Sequence, residues 1–317
     1  MNDAGIVFPG QGSQYVGMGK DLYEGFQEAR ETFAEAAKAL GIDIARLCFE
    51  GPRDVLDLTS NTQPAVLTVD VAIYRIFEKE IGIEPAIMAG HSLGEYAALC
   101  ASGAIDFSDA VSLVHARGRY QQEAVPPGEG CMAAILGLDR ELVEEICRVT
   151  SGELGVVALV NINSPGQSVI SGNTAAVEKA VDIAKERGVR MGVKLPISVP
   201  CHCSLLDKAA EKLEKDLDNI RIRDCRVKVI PNFDPENAHS TANTRKFLAR
   251  QLNSPVRWQE TVERMYNMGI RTIVEIGPKR TLSSLIKRID RRIKTLNIED
   301  MASLESAIAF FNGDKTA

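Results

Sequence analysis

The stretch Gly90-His91-Ser92-Leu93-Gly94 constrains this chain most, because of what flanks it. The apolar run Ile87-Met88-Ala89 leads in, and an Ala- and Leu-rich run starts at Leu93. Glycine-x-serine-x-glycine between a strand and a helix is the sequence form of a nucleophile elbow, a sharp turn that lifts a serine out of a sheet. Both glycines have a mechanical reason: strand and helix backbones pass too closely there for a side chain. The unpaired N–H groups and the dipole at the helix start face the serine, so an anion forming beside it meets donors. A serine that merely capped a helix would not require this strand-before, helix-after context.

The rest of the chain supplies the sheet that an elbow needs. Gly5-Ile6-Val7-Phe8-Pro9 reads as a first strand, followed by the loop Gly10-Gln11-Gly12-Ser13-Gln14. That loop is no dinucleotide fingerprint, since Tyr15 stands where the third glycine would fall, and the chain has no G-K-[ST] phosphate loop. Its glycines still let the backbone approach a ligand. A helix is expected from Asp21 to Leu40, and another opens at Asn61-Thr62-Gln63-Pro64, with proline in the first turn and a stripe of Val66, Val69, Ile73 and Phe77. Gly103 ends the elbow helix. Ser108 is expected to cap the next one, whose inner face carries Ala110, Val111, Val114, Arg117, Gly118 and Gln121. Arg117 therefore points inward and Arg119 does not. An inward arginine needs an anionic partner, and spacing alone favours a structural carboxylate over a ligand. His115 reads as a structural histidine.

After the linker Pro126-Pro127-Gly128-Glu129-Gly130 the rhythm changes. Strands are expected at 131–136, 156–161, 167–171 and 190–195, with helices at 140–148 and 174–187. This βαββαβ order is the ferredoxin-like pattern. Ser198-Val199-Pro200-Cys201-His202-Cys203-Ser204 then returns the chain to the main domain, which continues with strands at 227–230, 271–276 and 293–298 and helices at 244–252, from 253–258 to 268, at 281–289 and at 304–311. The expected fold is α/β. A parallel-sheet, α/β-hydrolase-like core (1–125 and 199–317) carries an inserted ferredoxin-like subdomain (126–198).

Composition excludes several classes. A chain of 317 residues with 45% hydrophobic and 25% charged residues is an ordinary globular protein. A formal charge of −6 argues against bulk nucleic-acid binding. No apolar run approaches the roughly 20 residues of a membrane span. Asn2-Asp3 leads straight into a strand, so no signal peptide is expected and the cytoplasm is the default. The seven cysteines are scattered and read as reduced thiols; Cys201-His202-Cys203 lacks a second cluster to complete a metal site.

A serine nucleophile needs a base, and the chain has four histidines. His91 adjoins Ser92 in the turn and should point away. His239 lies in the polar stretch Glu236-Asn237-Ala238-His239-Ser240 and reads as an exposed loop. His202, in a loop after a strand of the main domain, is the best candidate. No Asp or Glu is evidently placed to orient it.

Gly10-Gln11-Gly12-Ser13-Gln14, Thr62-Gln63-Pro64-Ala65, Gly90-His91-Ser92-Leu93-Gly94-Glu95-Tyr96, the segment Ser164 to Gly172 with its Asn163-Ser164-Pro165-Gly166-Gln167 turn, and Glu275-Ile276-Gly277-Pro278 together resemble the malonyl-CoA:acyl carrier protein transacylases, in the right order along the chain. The resemblance implies a role for each matching position. Ser92 attacks the malonyl thioester, and His202 takes its proton and passes it to the CoA thiol. A backbone carbonyl, at Gln251, orients His202, which accounts for the missing acid. The backbone amides of Gln11 and Leu93 form an oxyanion hole. Arg117 clamps the malonyl carboxylate, a ligand contact in place of the structural carboxylate that spacing favours. Gln63 and Asn163 line the pocket. Cys201 stands where the family commonly carries Ser or Phe, which leaves room for methylmalonyl; Cys203 also flanks the base.

The implied reaction is ping-pong, from malonyl-CoA to Ser92 and on to the phosphopantetheine thiol of acyl carrier protein, with no metal or other cofactor, in an enzyme expected to be a monomer. Lys279, Arg280, Lys287, Arg288, Arg291, Arg292 and Lys294 form a basic segment suited to steering an acidic carrier. A serine thioesterase or other hydrolase, a non-catalytic binding module and a polyketide-pathway transacylase stay open as alternatives.

Overall fold

Consecutive apolar residues mark strands covered on both faces, and the first two strands of this chain divide their side chains in that way. In the computed structural model, which describes residues 3–197 and 199–313, β1 (Ala4–Phe8) sends Ile6 and Phe8 into one core and Val7 into another. β2 (Ile87–Gly90) does the same with Met88 against Ile87 and Ala89. The remaining strands are β3 (Gly130–Leu136), β4 (Val157–Ser164), β5 (Gln167–Asn173), β6 (Met191–Lys194), β7 (Lys228–Ile230), β8 (Thr272–Ile276) and β9 (Lys294–Ile298). They form a five-stranded sheet in the order β7-β2-β1-β8-β9, parallel at every described pairing, and a separate antiparallel sheet in the order β4-β5-β3-β6.

The helices Gln27–Leu40, Thr59–Glu80 and Phe107–Ala124 share a core with one face of the parallel sheet; Trp258–Asn267 and Thr281–Ile289 share a core with the other. Phe8 pairs in register with Gly90, so the carboxyl ends of β1 and β2 lie side by side. The loops from Pro9 and from His91 therefore leave the sheet at one place, where parallel sheets hold their ligands. The small sheet is tied to the same end. Ile162 N–H donates to the Val256 carbonyl (2.9 Å) and Val256 N–H to the Val160 carbonyl (2.8 Å).

Several expectations need correction. The helix expected from Asp21 to Leu40 is two helices, Lys20–Gly25 and Gln27–Leu40, separated by an extended Phe26. The Gln63 helix begins at Thr59, which puts Pro64 inside it. Ser108 is not a cap: the helix starts at Phe107, and the residue before it, Asp106, pairs with Arg223. Helices at Ile44–Glu50, Arg53–Leu56 and Asp207–Leu217 were not foreseen. Asn2, the proposed boundary at Ser198 and residues 314–317 lie outside the described residues. Among the described residues no helix is long and apolar enough to cross a membrane, and no cluster of His, Cys, Asp or Glu could hold a metal ion.

Candidate active site

Ser92 sits at the elbow with φ 53°, in the left-handed region. A side chain at Gly90 would collide with the backbone of Gly94, and one at Gly94 with the Phe8 carbonyl. Asn232, in the loop after β7, holds the turn from the side. Its Oδ1 accepts from Ser92 N–H (2.6 Å) and its Nδ2 donates to the Gly90 carbonyl (2.6 Å).

Ser92 Oγ lies 2.7 Å from His202 Nε2, and His202 Nδ1 lies 2.8 Å from the Gln251 carbonyl. A carbonyl only accepts, so Nδ1 carries the hydrogen and Nε2 presents its lone pair to the serine hydroxyl. His202 is buried. Loss of water and, second, the Arg117 charge push its pKa down to about 3. The strand before His202, β6, belongs to the small sheet and not to the main one.

Arg117 is 1% exposed. Its Nη1 donates to Gln63 Oε1 (2.8 Å), its Nη2 to Gln251 Oε1 (3.0 Å) and Ser92 Oγ (3.2 Å), and the guanidinium stands 5.5 Å from the Tyr96 ring centre. Its Nε has no partner, and no carboxylate forms an ion pair with it among the described residues. The structural carboxylate that spacing favoured is therefore missing.

Gln11, Ser92, Arg117, Cys201 and His202 line one cavity of about 50 Å³, with His91, Gln121, Met132, Asn161 and Ile197. The N–H groups of Gln11 and Leu93 donate no hydrogen bond among the described residues. The loop of Gln11 rests on the elbow, because a side chain at Gly10 would strike the His91 carbonyl. Burial pushes the Cys201 thiol up to about 12, and the Cys203 thiol is raised for the same reason, so neither is a ready nucleophile.

Gln63 and Asn163 do not line the cavity. Gln63 stands behind Arg117, and Asn163 holds His91 through Oδ1 at 2.9 Å from Nε2. His91 is among the residues lining the cavity, and its ring is held by Asn163 and packed on Trp258. His239 is not on an exposed loop: it is buried, with Nε2 2.9 Å from Glu95 Oε1. Gln121 and Asn232 were missed as site residues. Gln121 had a signal, four residues beyond Arg117 on the same helical face; Asn232 had none beyond following a strand.

The arrangement contains an oriented serine–histidine pair, two free amides on loops packed together and a buried cation without a counter-charge. Comparison with known proteins adds the lineage. A family profile describing the acyl transferase domain matches residues 6–307. The malonyl CoA-acyl carrier protein transacylase of Bacillus subtilis (strain 168) is 45% identical over 308 residues, 97% of each chain. That of Haemophilus influenzae is 46% identical over 312 residues, 98% of this chain and 99% of the other. The solved transacylase of Coxiella burnetii superposes with a TM-score of 0.94 at 45% identity, covering 97% of both chains. A malonyl-transacylase solved in complex with a type II polyketide acyl carrier protein gives 0.95 at 44%, covering 97% of this chain and 99% of that one. Matched along nearly its whole length, this chain is an acyltransferase and belongs to the acyl transferase family that includes the malonyl CoA-acyl carrier protein transacylases.

Proposed function

We propose that the protein transfers a malonyl group from malonyl-CoA to the phosphopantetheine thiol of acyl carrier protein, through a malonyl ester on Ser92. The observation that carries this reading is Arg117. A fully buried guanidinium with amide and hydroxyl partners but no carboxylate is costly, and a ligand carboxylate delivered next to the nucleophile completes it. Malonyl is a short acyl group that brings one; acetyl would leave the charge unpaired.

The mechanism follows from the distances. His202 Nε2 takes the proton of Ser92 as Oγ attacks the thioester carbonyl, and returns it to the departing CoA sulfur. The Gln251 carbonyl keeps His202 in the required tautomer. The amides of Gln11 and Leu93 receive the oxyanion, each being worth about 3 kcal/mol at the transition state. In the second half His202 deprotonates the carrier thiol, whose sulfur attacks the malonyl ester; the bond from the acyl carbon to Ser92 Oγ breaks, and His202 returns the proton to Oγ. The residues supply acid, base, nucleophile and clamp without a metal or other cofactor.

The strand order of the small sheet supports the ferredoxin-like reading of 126–198, inserted into a hydrolase-like parallel core of 1–125 and 199–317. The relatives' names support acyl carrier protein as partner; fatty acid synthesis as setting and a cytoplasmic monomer are the accompanying readings. Cys201, on the cavity wall, is the position where tolerance for methylmalonyl would arise.

Intact-protein mass after brief mixing with malonyl-CoA tests the proposal. A malonyl adduct is expected, absent in Ser92→Ala. Arg117→Ala should lower the malonyl loading rate by about a hundredfold or more, the scale set by leaving a buried charge partner unmatched. Free malonate released without an adduct or carrier would make the protein a hydrolase, and a dominant methylmalonyl adduct would change its substrate.

A further inference from the structure

We propose that Glu95 is a positioning residue that sets the preference for a carboxylated acyl group by fixing the side-chain amide of Gln251; the proposal rests on the transacylase reading above. Glu95 is fully buried on the elbow helix. Its Oε2 accepts from Gln251 Nε2 (3.0 Å) and from Asn232 N–H (2.8 Å), and its Oε1 lies 2.9 Å from His239 Nε2. The second hydrogen of the Gln251 amide goes to the Ser92 carbonyl (2.9 Å). Both hydrogens being committed, Gln251 Oε1 has to face Arg117 Nη2, at 3.0 Å. The reversed amide would set its oxygen against the carboxylate and the Ser92 carbonyl, and its NH₂ against the guanidinium. Glu95 thereby holds the clamp through Gln251 and the elbow through Asn232, without touching the reacting atoms.

The far side of Glu95 completes the network. Thr244 Oγ1 donates to the Ser240 carbonyl (2.7 Å), so it accepts from His239 Nδ1 (3.1 Å). With Nδ1 protonated, the 2.9 Å contact between His239 Nε2 and Glu95 Oε1 also contains a proton. The pair is therefore neutral overall, which suits full burial.

A glutamine at 95 can reproduce the whole pattern. Its oxygen accepts from Gln251 and Asn232, and its NH₂ donates to a His239 that keeps its hydrogen on Nδ1. The experiment loads wild type, Glu95→Leu and Glu95→Gln with malonyl-CoA and acetyl-CoA and follows both adducts on Ser92 by rapid-quench mass spectrometry. Glu95→Leu should reduce the malonyl-over-acetyl rate ratio at least tenfold, while Glu95→Gln should stay within about threefold of wild type. A structural role alone would lower both rates together and leave their ratio unchanged. Should Glu95→Leu not fold, Glu95→Asp, which keeps the charge but withdraws it by one methylene, should show the same fall in ratio. An unchanged ratio in folded Leu or Asp variants, or a Gln variant as impaired as Leu, overturns the proposal. Absence of a malonyl adduct in wild type would instead overturn the transacylase reading.

Discussion

His202 and Arg117 share one small cavity, and the charge of the arginine bears on the basicity of the histidine. With its pKa near 3, the free imidazole stays a competent base through mildly acidic pH, because burial and the Arg117 charge both disfavour a second proton. Malonyl loading (kcat/KM from rapid quench, pH 5 to 8) should therefore show no acid limb in the ordinary histidine range. Arg117→Gln removes the second of three lowering causes and leaves the first, burial, and the third, His91, in place. The base then moves up in the direction of 6.5, so the pH at which loading falls off should lie higher in the variant than in wild type. A limb between 6 and 7 in wild type would count against this account.

At the scale of single elements, the long helix Thr59–Glu80 bears a cost of its own. Asp70 is buried at its centre, and neither oxygen has a hydrogen-bond partner among the described residues. Burial, and next the nearby Glu275, hold its carboxyl well above the ordinary 3.8. Glu275 is better placed, accepting from the N–H groups of Leu282 and Ser283 at the start of a helix. An acid whose pKa is raised on folding binds its proton more tightly in the native state. Its contribution to stability is complete below the unfolded value of 3.8 and is lost as pH rises through the higher native value. Asp70→Asn should accordingly match wild type in acid and gain in Tm at pH 8 to 9, by thermal melts across that range. A constant difference between the two at every pH would remove the argument.

For the whole molecule, electrostatics bear on how a partner arrives. The basic segment is exposed, but part of it is already engaged: Arg292 pairs with Asp290, and Lys279 donates to the Gly12 carbonyl of the Gln11 loop. Arg288 and Arg291 have no ion pair among the described residues. Charge reversal at both should slow transfer to acyl carrier protein at low salt and leave malonyl loading from CoA unchanged, with the difference fading as salt rises. The parallel sheet was legible because strands alternate with helices along the main domain, and the elbow because its glycines are forced. The helix Asp207–Leu217 had the right spacing, with Ala209, Leu213 and Leu217 buried, yet was hidden behind the loop of His202. His239 could not be read at all, since its partner Glu95 lies 144 residues away and its neighbours in sequence are polar. Gln63 and Asn163, which the resemblance put on the pocket wall, stand behind Arg117 and His91: similarity of motif does not say which amide touches a ligand and which holds the residue that does.

The backbone of Ser92 has a consequence for how such an enzyme can decay. Its φ of 53° suits glycine and strains any residue with a Cβ, by about 1 kcal/mol or more. Ser92→Gly should therefore melt higher than wild type while losing all transfer, by calorimetry beside the adduct assay; an unchanged or lower Tm would show that the hydroxyl's contacts outweigh the strain. Stability and activity are thus opposed at a single codon. Where selection for the reaction lapses, the first tolerated change at this position is one that makes the fold sturdier, so an inactive descendant would keep its shape and lose its serine first.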